Sequence, residues 1–218
     1  MIQVEKTADA PEELASKGYK DDKVAEQILT DQHDKCYLCE RLVGTDYEIE
    51  HLHSQANCPL ESDEWHNLLV ACGYCNKRKG DRYDDIHHPV DVDIETVIEQ
   101  RLDVLKGEAQ FVAVDGSDAT KKTIELLEIL HNDIMHKGAE RLRTRRFMNE
   151  ICEKYADFVR HVDEYVSNPS DATLAALQDD LKPEAELLGF KRQFLKDNGI
   201  KVCSLEIYND SLNGTIVR

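Results

Sequence analysis

Two cysteine pairs of identical spacing constrain this chain more than any other feature: Cys36-Tyr37-Leu38-Cys39 and Cys72-Gly73-Tyr74-Cys75. A Cys-x2-Cys turn presents two thiolates from one tight bend, and two such turns complete the tetrahedral four-sulfur set that Zn²⁺ favours. The fold must therefore bring residues 36–39 against residues 72–75. Between Cys39 and Cys72 lie 32 residues, more than the roughly 15–20 of an ordinary zinc ribbon, so something is inserted between the knuckles. Cys58, Cys152 and Cys203 have no partner at ligand spacing and read as buried spectator thiols. No signal-peptide stretch opens the chain, and no apolar run reaches the roughly 18–20 residues of a membrane span. Both point to a cytoplasmic protein whose cysteines stay reduced.

The 218 residues carry 27 Lys+Arg against 44 Asp+Glu, a net charge of −17. That balance argues against a generic DNA-coating protein, which would carry a broad basic field. Basic residues concentrate in two places only, 76–82 (NKRKGDR, net +3) and 137–146 (KGAERLRTRR, net +4). The periodicity predicts an α+β chain in three parts. Residues 1–35 hold an extended or loosely attached arm over 1–18, then a helix over 21–33. Residues 36–116 hold the cysteine frame, a strand at 47–52, a capped short helix or turn after Ser62-Asp63, and a hairpin centred on Gly107. A helix over 94–105 is a rival reading of the hairpin's first strand. Residues 117–218 read as helical: a helix capped by Ser117-Asp118, a long one over 141–166, a break at Asn168-Pro169-Ser170, helices at 174–181 and 183–196, a stop at Gly199, and a short strand at 202–208. His87, His88, His131, His136 and His161 lack ligand spacing and read as surface residues.

The insertion carries the chemistry: Glu48-Ile49-Glu50-His51-Leu52-His53, then His66-Asn67-Leu68, and Asn76-Lys77-Arg78-Lys79-Gly80 immediately after Cys75. Hydrolysing a phosphodiester requires a base to activate water and a cation to offset charge on the phosphate and leaving oxygen. Histidine suits the base role because its pKa lies near neutrality. In order and spacing, residues 36–82 resemble the HNH endonucleases in their zinc-knuckle form, the ββα-metal fold. The resemblance implies His51 as general base, Asn67 as the residue bracing the loop around it, Glu50 and Asn76 as ligands of a catalytic Mg²⁺ or Mn²⁺, and Cys36, Cys39, Cys72 and Cys75 as ligands of a structural Zn²⁺. Glu50 stands where Asp or His is commoner, and Asn76 where His is commoner. Both keep oxygen-donor chemistry suited to a hard cation. His53 would contact phosphate, act as an alternative base, or be merely solvated. Lys77, Arg78, Lys79 and Arg82 are candidate phosphate contacts, against the ordinary reading of a charge run as a solvated face.

Beyond the motif, the leading Val4-Glu5-Lys6 and Pro11, the wording Cys-Asn-Lys-Arg-Lys-Gly-Asp, the segment Arg101-Leu102-Asp103 with Phe111-Val112-Ala113-Val114-Asp115, and Thr123-Ile124-Glu125-Leu126-Leu127 resemble the PtuB family. Its members are HNH nuclease subunits of Septu and some retron anti-phage systems. That resemblance implies a partner, an ABC/SMC-like ATPase (PtuA-like), and a nucleic-acid substrate, DNA ahead of a structured RNA such as tRNA. A zinc-stabilised interaction module with a vestigial HNH site is the reading of a different class. The basic cluster at 137–146 would grip nucleic acid or meet an acidic protein surface. On a chain of −17 the expectation is weak unaided affinity for nucleic acid.

Overall fold

The computed structural model describes residues 1–133 and 136–202. In chain order it contains α1 (Glu12–Lys17), α2 (Asp22–Asp31), β1 (Tyr47–His51), β2 (Leu68–Cys72), α3 (Gly73–Lys79), α4 (Ile94–Val97), β3 (Ile98–Asp103), β4 (Glu108–Ala113), α5 (Asp118–His131), α6 (Ala139–Ser167), α7 (Asp171–Asp179) and α8 (Leu188–Asp197). Two short 3-10 turns, Pro59–Glu61 and Trp65–Asn67, interrupt the β1–β2 connection. The described residues are thus mixed α+β, with two two-stranded antiparallel sheets among them. Buried side chains from the arm, the cysteine region and the helices form one contiguous core. Among the described residues no helix is long and apolar enough to cross a membrane.

β1 pairs with β2 so that Glu50 faces Leu69 and His51 faces Leu68 across the ladder. All five β2 residues are buried, and the strand's outer edge does not meet solvent. The Gln32 side chain donates to the Val70 carbonyl at 3.0 Å and accepts from its amide at 2.7 Å. The Tyr37 amide also donates to Val70 O, and the Lys6 ammonium donates to Leu68 O at 2.6 Å. Side chains and the arm thus do for this edge what a third strand would do.

Of the two readings of the arm, extended or loosely attached, the second is corrected: the arm is tied down. Met1 and Val4 are buried. The Met1 ammonium donates to Glu40 at 2.7 Å and to Gln100 at 2.8 Å. Lys6 lies 3.6 Å over the Trp65 ring, whose Nε1 donates to Thr7 O, and burial lowers the Lys6 pKa to about 7. Polar and ionic groups anchor the arm, so its few apolar residues understate its attachment.

The rival readings for 94–105 are both realised in part. Asp93 caps a single helical turn, α4, and the chain becomes extended at Ile98. The hairpin then turns at Gly107, whose φ of +66° favours glycine. After Ser62-Asp63 there is no capped helix: one 3-10 turn without a side-chain cap leads into β2, because Leu68, Leu69 and Val70 are all buried within the ladder. α5 is capped by Ser117. α6 buries Phe147, Ile151, Tyr155, Phe158 and Val162 as one stripe and ends at the expected break. α8 begins only after Leu187, which takes a left-handed conformation. Cys58 and Cys152 are half-buried. Cys203 and, apart from Val202, the strand expected at 202–208 lie outside the described residues.

His131 was expected at the surface, yet it is 1% exposed at the end of α5. Its Nδ1 bonds Leu127 O at 2.8 Å and its ring packs among Phe111, Phe147 and Phe190. Burial lowers its pKa to about 4, so it serves as a neutral core ring.

Candidate functional site: a thiol cluster and a strand–strand–helix polar layer

The cysteine pairs converge. Cys36 and Cys39 flank a bend in which the Glu40 amide donates to Cys36 O and the Cys36 amide to Arg41 O, with Glu40 in the left-handed region. Cys72 ends β2, and Cys75 lies in the first turn of α3. All four sulfurs are buried and lie within 4.8 Å of one another. The Cys39–Cys72 separation is 4.0 Å, against about 3.8 Å between ligands of a tetrahedral ion with 2.3 Å bonds. Burial pushes the Cys39 and Cys75 thiols well up, while hydrogen bonds from the other sulfurs hold Cys72 down. Soft donors, tetrahedral spacing and exclusion from water fit Zn²⁺. The Arg41 guanidinium lies 4.7 Å from the Phe147 ring centroid and pairs with Glu150. That ion pair and ring contact tie the knuckle to α6.

α3 packs across both strands, and the strand's period of two turns Glu48 and Glu50 toward it. Glu50, 8% exposed, pairs with the Lys79 ammonium at 2.8 Å. Burial raises the Glu50 pKa even with that cation beside it. Asn76 donates through Nδ2 to Glu48. The two residues implied as metal ligands, Glu50 and Asn76, therefore each have another partner, and Glu48 joins the same layer.

His51 points the other way along β1. Its Nε2 is 3.0 Å from the Ser62 carbonyl, and its ring stands edge-on to Tyr19 at 4.7 Å. Burial lowers its pKa. Asn67 closes the intervening loop: its Oδ1 accepts from the His53 amide at 2.7 Å, and its Nδ2 donates to His53 O and Glu61 O. A second tie comes from Asp84, which accepts from the Ser54 amide and hydroxyl and from Asn57.

The candidate phosphate contacts divide. Lys77 and Arg82 are exposed, and His53 pairs with Glu61 at 2.7 Å. Arg78 and Lys79 do not fit that role. Arg78 is 5% exposed, stacked 3.7 Å over Tyr74 and bonded to Glu140 and Thr144 of α6. Lys79 is 0% exposed and also donates to the His51 carbonyl at 3.0 Å. Both cations cement the layer, because α3 is covered by α6 on one side and by β1 on the other. Sequence reasoning missed Glu48, Asp84, Tyr19 and the Ser62 carbonyl. The alternation with Glu50 could have flagged Glu48, but no local pattern marks the others. His88, read as a surface residue, is half-buried with its ring 6.4 Å from that of His53. No protein-family model matches the chain, and no curated protein matches it.

Proposed function

We propose that this chain is a metal-dependent endonuclease of the HNH type, acting on nucleic acid under the control of a partner ATPase in an anti-phage system. The observation that carries the reading is the hydrogen bond between His51 Nε2 and the Ser62 carbonyl. A carbonyl oxygen can only accept, so Nε2 bears the ring proton and the neutral imidazole keeps its lone pair on Nδ1. Burial lowers the His51 pKa, so the ring is neutral at pH 7, the state a general base requires. Asn67 and Asp84 hold the loop that follows His51 from two sides, which fixes the position of the base before substrate arrives.

Glu50, the exposed Glu48 and the Asn76 amide oxygen form a hard-oxygen set that would hold Mg²⁺ or Mn²⁺. When bound, the ion would offset negative charge on the phosphate and the leaving oxygen. The ATPase partner, and DNA ahead of RNA as substrate, rest on the likeness to the PtuB family. One observation favours the second reading, a zinc-stabilised interaction module: the Lys79 ammonium already neutralises Glu50.

Cleavage of plasmid DNA and of a structured RNA with Mg²⁺ or Mn²⁺, with and without the ATPase, separates the two. The wild-type chain is expected to cut DNA, and His51→Ala to cut slower by roughly 10²–10⁴-fold with an unchanged melting curve. If neither cuts, or both cut equally, the module reading stands.

A further inference from the structure

We infer that the first turns of α6, together with Lys77 of α3, form a docking surface for the phosphate backbone of duplex nucleic acid. The inference rests on the nuclease reading for the site it leads to. The two basic clusters, about 60 residues apart in sequence, meet in space. Glu140 accepts from Lys77 at 3.3 Å and Arg78 at 3.4 Å on α3, and from Arg143 at 2.9 Å on its own helix. Lys77 follows Asn76 directly, so the basic surface begins at the polar layer and continues along α6. There Arg141, Arg145 and Arg146 are exposed, and among the described residues none of the three makes an ion pair or side-chain hydrogen bond. Elsewhere on α6 an exposed arginine is neutralised: Arg160 pairs with Asp157 and Glu164.

Leaving three arginines without carboxylates is notable in a chain with 44 acidic residues. Their mutual repulsion is relieved by an external polyanion. The rest of the acidic surface repels the same polyanion, which confines contact to this face.

Duplex is favoured over single strand. Single-strand binders stack bases on aromatic side chains, yet among the described Phe, Tyr and Trp residues only Tyr47, on β1, is exposed. A guanidinium row without aromatic rings contacts phosphates and reads no bases. DNA and RNA duplexes share that chemistry.

The test is fluorescence anisotropy with labelled duplex DNA, duplex RNA and single-stranded DNA, using the full zinc-loaded chain carrying His51→Ala. Arg141→Gln/Arg145→Gln/Arg146→Gln is compared with Arg160→Gln. Four engaged phosphates predict a slope of log K against log salt near −3.6 on duplex DNA, about −0.9 per phosphate. The triple variant is expected to keep its melting curve, lose roughly tenfold or more in affinity at low salt, and flatten the slope by about 2–3. Arg160→Gln is expected to bind as the parent does. Equal binding by triple variant and parent, no salt-dependent duplex binding by the parent, or tighter binding of single strands or of polyglutamate would each overturn the inference. Binding is scored without cleavage, so intact binding by an inactive wild type sinks only the nuclease reading. Full binding by the triple variant, beside a wild-type chain that cuts, sinks only this one.

Discussion

Two clusters with the chemistry of metal sites share the small α3 helix, and they differ in how committed their donors are. On the thiol side, four sulfurs from two distant turns converge in a water-free pocket, and each has mainly the other sulfurs for company. On the strand side, both carboxylates already have a partner within the chain: Glu50 has Lys79, and Glu48 has the Asn76 amide nitrogen. The first cluster could hold an ion with no competing partner. In the second the carboxylates are already paired, so any ion there would have to replace contacts the fold makes.

The largest expected effect tests the first half of that comparison. Metal analysis of the purified chain is expected to give one zinc, and Cys36→Ser or Cys72→Ser to abolish it. Structural zinc contributes apparent binding free energies of about 10–16 kcal/mol in small zinc domains, more than the whole stability of most domains. Loss of the ion should therefore remove the cooperative thermal transition in circular dichroism. A zinc-free chain that melts cooperatively would show that the thiols are spectators.

A smaller effect probes the other side of α3. Glu50 and Lys79 are a buried pair, and removing one partner of such a pair leaves an uncompensated charge at a cost of about 3–5 kcal/mol. Lys79→Met should lower the unfolding free energy by that order and Glu50→Gln by less, because Asp84 stays 3.7 Å from the Lys79 ammonium, both leaving zinc content at one. The double variant Glu50→Leu/Lys79→Met should be less destabilised than the sum, because hydrophobic replacement of a whole pair is often nearly neutral. Strictly additive costs from denaturant titrations would mean that the pair is not coupled, and the contrast between a satisfied and an unsatisfied cluster would fail.

What the sequence disclosed follows the same division. The thiol frame was legible because its ligands recur at fixed local spacing, and the α6 stripe because Phe147, Ile151, Tyr155, Phe158 and Val162 repeat with the helical period. The β3–β4 hairpin declared itself by alternation and Gly107. Lys79 reads as a candidate phosphate contact because nothing in the run Lys77-Arg78-Lys79 tells its members apart, and only the packing of α3 between β1 and α6 decides which of the three reaches water. The arm was misread for a related reason. Met1 is held by Glu40 and Gln100, partners too far along the chain for any periodicity to reveal. In the site, His51 and Asn67 stood out as residue types, whereas the Ser62 carbonyl that sets the His51 tautomer is a backbone atom that no side-chain pattern can mark.

The smallest effect concerns the loop that joins the two sides. Asn67 makes three hydrogen bonds to it, accepting from the His53 amide and donating to the His53 and Glu61 carbonyls. Asn67→Ala leaves buried backbone groups without partners, at about 1–3 kcal/mol. Asp84 still holds Ser54 and Asn57, so the loss should stay local. Hydrogen exchange at the His53 amide should accelerate by roughly tenfold or more, the equivalent of 1.4 kcal/mol, while amides of α5 and α8 stay protected. Asn67→Asp is the sharper variant: it keeps the acceptor facing the His53 amide and removes both donors. Intermediate exchange in Asn67→Asp would assign the bracing to the amide as a whole. Exchange as slow as in the wild-type chain would assign it to the acceptor alone. Global acceleration in either variant would show that this loop belongs to the committed, structural side of the molecule and that the boundary between the two clusters lies elsewhere.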